Sequence, residues 1–150
     1  MQTFSGLEEF EKAVGTHLGY SDWRTITQEQ INLFADATGD HQWIHVDPEK
    51  AKDGPFGTTI AHGYLTLSII PSLVWQIYAV ENLSMGINYG SNKVRFPSPV
   101  PVGSRVRAGA ELLSLERRPN GAQACVKVTV EREGGDKPAC VAETVAVLVP

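Results

Sequence analysis

Acidic and basic side chains that could exchange protons are concentrated in one segment, GDHQWIHVDP, which begins at Gly39. Asp40 and His45 are the first candidates, because a carboxylate and an imidazole that meet can hold a water molecule and exchange protons with it. They are five positions apart in the chain, so on a regular helix they would point about 140° apart. We therefore predict a non-helical loop after Gly39. The resulting pair would suit the addition of water to a substrate.

Two plainer interpretations of this segment stay open. An aspartate near a helix end often caps the helix, and a histidine in a loop is often only hydrogen-bonded or solvated. His41 and His45 have the spacing of a metal pair on a helix. However, Gly39 disfavours that helix and no third ligand is obvious, so no metal site is predicted.

A second candidate feature is Ile60-Ala61-His62-Gly63, at the start of a long apolar run. If Gly63 begins a helix, its backbone N–H has no partner within the helix and can stabilise a developing negative charge. A carbonyl bound there would withdraw electrons while water adds two carbons away. The alternative is that the glycine only permits close packing.

Short helices are predicted before residue 54. Ser5–Glu8 has capping-box spacing and opens a helix that ends near Gly15. Thr27–Gln30 repeats the pattern and opens a second helix that should stop at Gly39. Asp47-Pro48 has the form of an N-cap followed by a first helical proline, which predicts a further turn or two.

The longest apolar run lies between Asp53 and Glu81, with no Asp, Glu, Lys or Arg inside it. From about His62 to Val80 it is apolar nearly all round, which predicts a helix enclosed by other elements. Pro71 should bend or break this helix. Polar residues within the run argue against a membrane span.

The chain beyond Glu81 has the alternation of a β meander. Five apolar residues share one face of the segment from Ala122 to Val130, and polar residues share the other. Further strands are predicted near Met85–Tyr89, Asn92–Arg95, Arg105–Glu116 and Ala139–Val149. Turn sequences at Pro119-Asn120-Gly121 and Gly134-Gly135-Asp136 predict antiparallel hairpins.

Composition limits the class of protein. A length of 150 residues with 42% hydrophobic and 20% charged residues predicts one globular domain, 1–150. A net charge of −4 argues against a nucleic-acid partner. The two cysteines lack disulfide or zinc spacing, and the first twelve residues do not resemble a secretory signal, so we expect a cytoplasmic location.

The segment GDHQWIHVDPEKAKDGPFGTTIAHGYL resembles the signature of the MaoC-like, (R)-specific enoyl-CoA hydratases of the hot-dog superfamily. In that family the pattern is Asp-x-Asn-Pro-x-His, then Asp-Pro, then Phe, then Ile-(Ala/Val)-His-Gly-(Met/Leu). The resemblance implies catalytic roles for Asp40 and His45, with Gly63 as the backbone donor to the thioester oxygen. It also implies that the substrate contacts Phe56 and Ile60-Ala61.

The main departure is Gln42-Trp43 in place of Asn-Pro, and we expect Trp43 to contact the acyl chain. A serine of the central helix lies near the water in some members, but neither Ser68 nor Ser72 is assigned that role, because Pro71 disturbs the register.

The resemblance implies an α+β hot-dog fold, in which an antiparallel sheet wraps a long central helix and two copies join edge to edge as a homodimer. The implied reaction is reversible hydration of trans-2-enoyl-CoA to (R)-3-hydroxyacyl-CoA, with acyl-CoA as the small-molecule partner and no cofactor. Alternatives are an acyl-CoA thioesterase and a non-catalytic acyl-CoA-binding subunit of a heterodimeric dehydratase. The sequence does not select which arginines bind the CoA phosphates among Arg95, Arg105, Arg107, Arg117 and Arg118.

Overall fold

Strands contribute most of the regular structure in the computed structural model, which describes residues 1–150. The strands are β1 (Gln2–Phe4), β2 (His17–Tyr20), β3 (Arg24–Thr25), β4 (Tyr78–Val80), β5 (Met85–Arg95), β6 (Arg105–Arg118), β7 (Gly121–Arg132) and β8 (Cys140–Val149). The helices are α1 (Leu7–Glu11), α2 (Gln28–Thr38), α3 (Trp43–Val46), α4 (Pro48–Lys52), α5 (Gly63–Ser68) and α6 (Ile70–Val74).

The main sheet has six strands in the order β2-β6-β7-β8-β5, and β3 also pairs with β6. All these pairings are antiparallel. The predicted hairpins join β6 to β7 and β7 to β8, so the predicted meander is confirmed. Strand β5 forms one edge of the sheet, where its second row of backbone groups has no partner strand.

Apolar and polar residues alternate along β7, and this pattern determines which face of the sheet is buried. Ala122, Ala124, Val126, Val128 and Val130 are all at most 4% exposed, as predicted from their period of two. Side chains of the central helical region pack against this face and complete the core, namely Leu65, Ile69, Ile70, Leu73 and Ile77. The α+β architecture predicted from the sequence is confirmed.

The central helix is shorter than predicted and is divided in two. α5 ends at Ser68, and α6 begins at Ile70 with Pro71 in its first turn. The break has a local cause, because Pro71 has no N–H to donate to the preceding turn. The prediction of helix as far as Val80 is wrong, since residues 78–80 form β4 and pair in parallel with β1.

Two of the three helix starts predicted from capping sequences are confirmed. Thr27 and Gln30 form the capping box of α2, and Gly39 ends it with a left-handed backbone (φ 84°). The Asp47 side chain accepts a hydrogen bond from the Lys50 N–H at the start of α4, as predicted. The Ser5–Glu8 capping box is wrong, because Gly6 is the N-cap of α1 and the Ser5 N–H binds the Glu9 carboxylate instead.

The two strands predicted near Met85–Tyr89 and Asn92–Arg95 are one strand, β5, with irregular pairing between them. No helix in the structure is both long enough and apolar enough to cross a bilayer.

Candidate active site

The loop between α2 and α3 brings Asp40 and His45 together. Gly39 ends α2, the chain is non-helical through Gln42, and His45 lies in the short helix α3. The Asp40 carboxylate accepts a hydrogen bond from the Gln42 N–H at 3.3 Å. One carboxylate oxygen of Asp40 and one ring nitrogen each of His45 and His62 lie within 4.8 Å of one another. A carboxylate and an imidazole are thus close enough to share one water molecule.

His45 has one ring nitrogen held and one free. Its Nδ1 lies 2.7 Å from the carbonyl oxygen of Ile60, which can only accept a hydrogen bond, so Nδ1 carries the proton of the neutral ring. Nε2 makes no hydrogen bond within the protein. Burial lowers the pKa of His45 and neighbouring His62 lowers it too, against the opposing effects of the Ile60 hydrogen bond and the Asp40 carboxylate. The site therefore holds a neutral imidazole with an unprotonated Nε2.

Gln28 fixes the backbone on which His45 sits. Its side-chain amide donates to the His45 carbonyl oxygen at 2.8 Å. Its side-chain oxygen accepts a hydrogen bond from the Thr59 hydroxyl. The first turn of α2 is thereby tied both to α3 and to the segment that leads into α5.

A cleft of ≈ 350 Å³ opens beside His45. Four further residues singled out from the sequence line it, namely Phe56, Ile60, Ala61 and Gly63. Its other walls are residues 96–100, Thr66 and Ala139. The volume lies within the range of small-molecule sites, about 300–1,000 Å³.

Gly63 is the first residue of α5, so its N–H has no acceptor within the helix. A side chain at this position would crowd the cleft, since an added Cβ would lie 3.2 Å from the ring of Phe96. The absence of a side chain therefore leaves the amide open to a carbonyl group of a ligand.

Two residues predicted for the site lie outside the cleft lining. Asp40 is exposed and does not line the cleft, although it lies beside His45. The Trp43 ring packs against Gly54, where an added Cβ would lie 2.9 Å from the ring. The Lys50 ammonium lies 4.7 Å from the Trp43 ring centre. Contact of Trp43 with an acyl chain stays a prediction.

The serines of the central helical region do not contact the pair. The Ser68 hydroxyl donates to the Tyr64 carbonyl oxygen at 2.6 Å. The Ser72 hydroxyl donates to the Ile69 carbonyl oxygen and accepts from Arg24, both at 2.8 Å. Both hydroxyls are therefore used by the fold.

Two residues of the site were not identified from the sequence. Thr66 is buried, lines the cleft and makes no side-chain hydrogen bond within the protein. Its position one turn after Gly63 is a signal that could have found it, because residues three apart share a helix face. His62 has no predicted role in the site, yet its ring stacks on His45 with 3.9 Å between ring centres.

The three clustered side chains are poorly arranged for a metal ion. The His45 and His62 rings are stacked at 3.9 Å with only 23° between their planes, so the planes that contain their nitrogen lone pairs run nearly parallel and do not meet at a common point between the rings. Tetrahedral zinc ligands must converge on one point. His41 is paired elsewhere, with Asp36 at 2.9 Å, so the His41/His45 pair is not formed either.

Four of the five candidate phosphate-binding arginines already have carboxylate partners. The ion pairs are Arg105–Glu133, Arg107–Glu131, Arg117–Glu11 and Arg118–Glu116, at 2.9 to 3.3 Å. Arg95 donates only to the carbonyl oxygen of Val94 and directly precedes Phe96 in the cleft wall. Arg95 is therefore the one of these five arginines whose guanidinium has no carboxylate partner.

The fold is that of a hot-dog protein, and its cleft lies beside a carboxylate and two imidazoles. The chain belongs to the MaoC-like dehydratase family, since the model of the MaoC like domain matches residues 9–135. It is similar to 3-hydroxyacyl-thioester dehydratase Z of Mycobacterium tuberculosis, with 61% identity over 146 residues, 97% of each chain. Nodulation protein N of Rhizobium meliloti is 46% identical over 144 residues, covering 94% of this chain and 89% of that protein.

Among solved structures, the (R)-hydratase of A. caviae involved in PHA biosynthesis is similar, with a TM-score of 0.72 and 25% identity. The match covers 91% of this chain and 98% of that one. The hot-dog fold and the family predicted from the sequence are confirmed. The protein is a dehydratase, a hydro-lyase of the MaoC type.

Proposed function

We propose that the protein catalyses the reversible hydration of trans-2-enoyl-CoA to (R)-3-hydroxyacyl-CoA. The observation that carries the proposal is the meeting of the Asp40 carboxylate and the His45 imidazole beside a cleft that also holds the Gly63 N–H. The names of two similar proteins, a 3-hydroxyacyl-thioester dehydratase and an (R)-hydratase, support the reaction class and the stereochemistry.

In the proposed mechanism, Asp40 and His45 hold one water molecule, and the thioester oxygen accepts a hydrogen bond from the Gly63 N–H. Nε2 of His45 takes a proton as the water oxygen bonds to Cβ. The electrons of the double bond move onto the thioester oxygen, where the amide stabilises the enolate. A proton then returns to Cα, so that water is added and the protein ends in its starting protonation state.

The same site would need neither a metal nor a redox cofactor, because the thioester itself provides the electron-accepting carbonyl. CoA belongs to the substrate. We place the Thr66 hydroxyl as a second polar contact for the carbonyl end, since it lies in the cleft one turn after Gly63 with no partner in the protein. The apolar wall at Phe56, Ile60 and Ala61 would contact the acyl chain.

We further propose that two copies pair through β5. This strand ends the sheet, and every residue in it is exposed or half-buried. Met85, Ile87 and Tyr89 are 52%, 44% and 70% exposed, which is unusual for large apolar side chains on one strand. Antiparallel pairing of β5 with its copy would satisfy the open row of backbone groups.

The test is incubation with crotonyl-CoA while loss of the enoyl absorbance and release of free thiol are followed together. Hydration without thiol release is expected, with the (R) product on chiral analysis. Thiol release without hydration would make the protein a thioesterase.

Asp40→Asn then tests the pair. It should lower kcat by about 10²-fold, because the water that Asp40 is proposed to hold would lose its alignment with Cβ. His41→Gln is the matched control, because His41 is exposed and bonded to Asp36. Unchanged hydration in a folded Asp40→Asn protein would remove Asp40 from catalysis. Absence of any hydration by the native chain would favour a non-catalytic subunit.

A further inference from the structure

We propose that His62 is a positioning residue, which holds the Asp40 loop and the His45 ring in their working geometry through one hydrogen bond and one ring stack. This inference rests on the proposed function, because it assigns His62 to the same site. It adds a third side chain to a pair that the sequence presents as two.

His62 is in contact with both members of the pair. Its Nε2 lies 3.0 Å from the backbone oxygen of Asp40, twenty-two residues away in the chain. Its ring stacks on His45 at 3.9 Å between centres, and Phe34 packs on it at 4.9 Å. His62 also directly precedes Gly63, as the N-cap residue of α5. One side chain therefore connects the loop, the imidazole and the helix that carries the amide.

The hydrogen bond to Asp40 also defines the tautomer of His62. A carbonyl oxygen only accepts, so Nε2 must carry the ring proton. The other nitrogen, Nδ1, is buried and has no partner in the protein. The contact with the Asp40 backbone is thus the single polar contact of a side chain that is 2% exposed.

A packing role alone does not explain this residue. Burying a ring nitrogen without a partner is unfavourable, and an apolar ring of similar size would avoid that penalty. The compensating feature is the bond that the ring makes to the Asp40 backbone. Without it, only the loop's own short-range bonds, such as that from the Gln42 N–H, would orient Asp40.

The stack has a separate effect on His45. The bond from Nδ1 to Ile60 fixes rotation in the ring plane, and the face of His62 fixes the tilt of that plane. Together they direct Nε2 toward one place. Small displacements of reacting groups matter, since about 1 Å can cost about 10²-fold in rate.

Two variants separate the bond from the stack. His62→Phe keeps the ring and removes the donor, whereas His62→Gln keeps a donor and removes the ring. We expect His62→Phe to lower kcat on crotonyl-CoA by about 10–10²-fold, since a displacement of about 1 Å can cost about 10²-fold, with little change in KM. His62→Gln should recover part of that loss. His41→Gln, an exposed histidine of the same loop, should retain native kcat.

A double-mutant cycle shows whether His62 acts through Asp40. If it does, His62→Phe should cost little more in an Asp40→Asn background than Asp40→Asn costs alone. Full additivity, or native kcat in folded His62→Phe, would overturn the proposal. A drop in thermal stability with native kcat would show a packing role only and would equally overturn it.

The native protein provides a test that needs no variant. Nitrogen-15 NMR of the imidazoles should show His62 as the Nε2–H tautomer, and a Nδ1–H tautomer would refute the assigned bond. This measurement also keeps the two proposals distinguishable. A protein that hydrates no enoyl thioester refutes the proposed function, while the tautomer still decides whether His62 holds the Asp40 backbone.

Discussion

Replacing Gly63 with alanine should separate catalysis from stability. The added methyl would lie 3.2 Å from three atoms of the Phe96 ring. At this distance the ring must shift by a few tenths of an ångström, and Phe96 can do so because it is 42% exposed. The backbone at this position is not left-handed, so alanine can adopt it and would stabilise the fold by about 0.4–1 kcal/mol, because the unfolded chain has less conformational freedom to lose. The two effects oppose each other, so Tm should change by no more than about 4 °C.

The effect of Gly63→Ala on activity should be much larger. The methyl group would occupy space beside the amide that the thioester oxygen is proposed to approach. Loss of one such donor usually lowers kcat by about 10²–10³-fold. Steady-state hydration of crotonyl-CoA and a thermal melt measure the two quantities. Gly135→Ala is the control, because its Cβ would be similarly close to a neighbour, 3.3 Å from Arg132, in a hairpin turn outside the cleft.

A second substitution identifies the cause of the loss. Phe96→Ala in the Gly63→Ala background removes the crowded ring but leaves the methyl beside the amide, so kcat should stay low. Full recovery would mean that the ring displacement, and not the blocked amide, caused the defect. Native kcat in Gly63→Ala alone would refute the role of the amide altogether.

Three further predictions concern pH, assembly and the cleft. Because burial lowers the pKa of His45 from 6.5, kcat/KM should fall as pH decreases below 6.5. The unfolded chain binds that proton more readily, so unfolding free energy should decline over the same range, and denaturant titrations of His45→Gln should lack that decline. Tyr89→Glu at the β5 edge should halve the mass seen by light scattering, whereas Leu33→Glu on α2 should not; a monomeric native protein would contradict the pairing. Thr66→Val should lower kcat/KM by about 2–10-fold, the value of one hydrogen bond, with no loss in the thermal melt; an unchanged kcat/KM would remove Thr66 from the site.

Local signals in the sequence predicted the parts of the fold that depend on local chemistry. The capping box at Thr27 and the glycine at the end of α2 act within a few residues, and alternation in β7 reports directly on the buried face. β1 and β4 could not be found this way, because their parallel pairing joins segments from distant parts of the chain. The apolar run that includes β4 therefore looked like a longer helix.

In the site, too, residues with local signals could be predicted and residues that depend on long-range contacts could not. Asp40, His45 and Gly63 could be proposed because residue type and order suggest their chemistry. His62 could not, because its contribution depends on a stack and on a backbone oxygen far along the chain. The packing of Trp43 against Gly54 was equally hidden, since a bulky residue in a catalytic loop gives no indication of the direction in which its ring points.

The hydrogen bond between His45 and Ile60 has a consequence for reversibility. Because Nδ1 donates to a main-chain carbonyl oxygen, Nε2 is the one ring nitrogen of His45 that is free to accept or release a proton. In the proposed mechanism, hydration and dehydration would therefore both use Nε2 to carry the proton, with no ring flip or tautomer exchange between cycles. The same restriction should make electrophilic reagents that attack imidazole modify this ring at Nε2 alone.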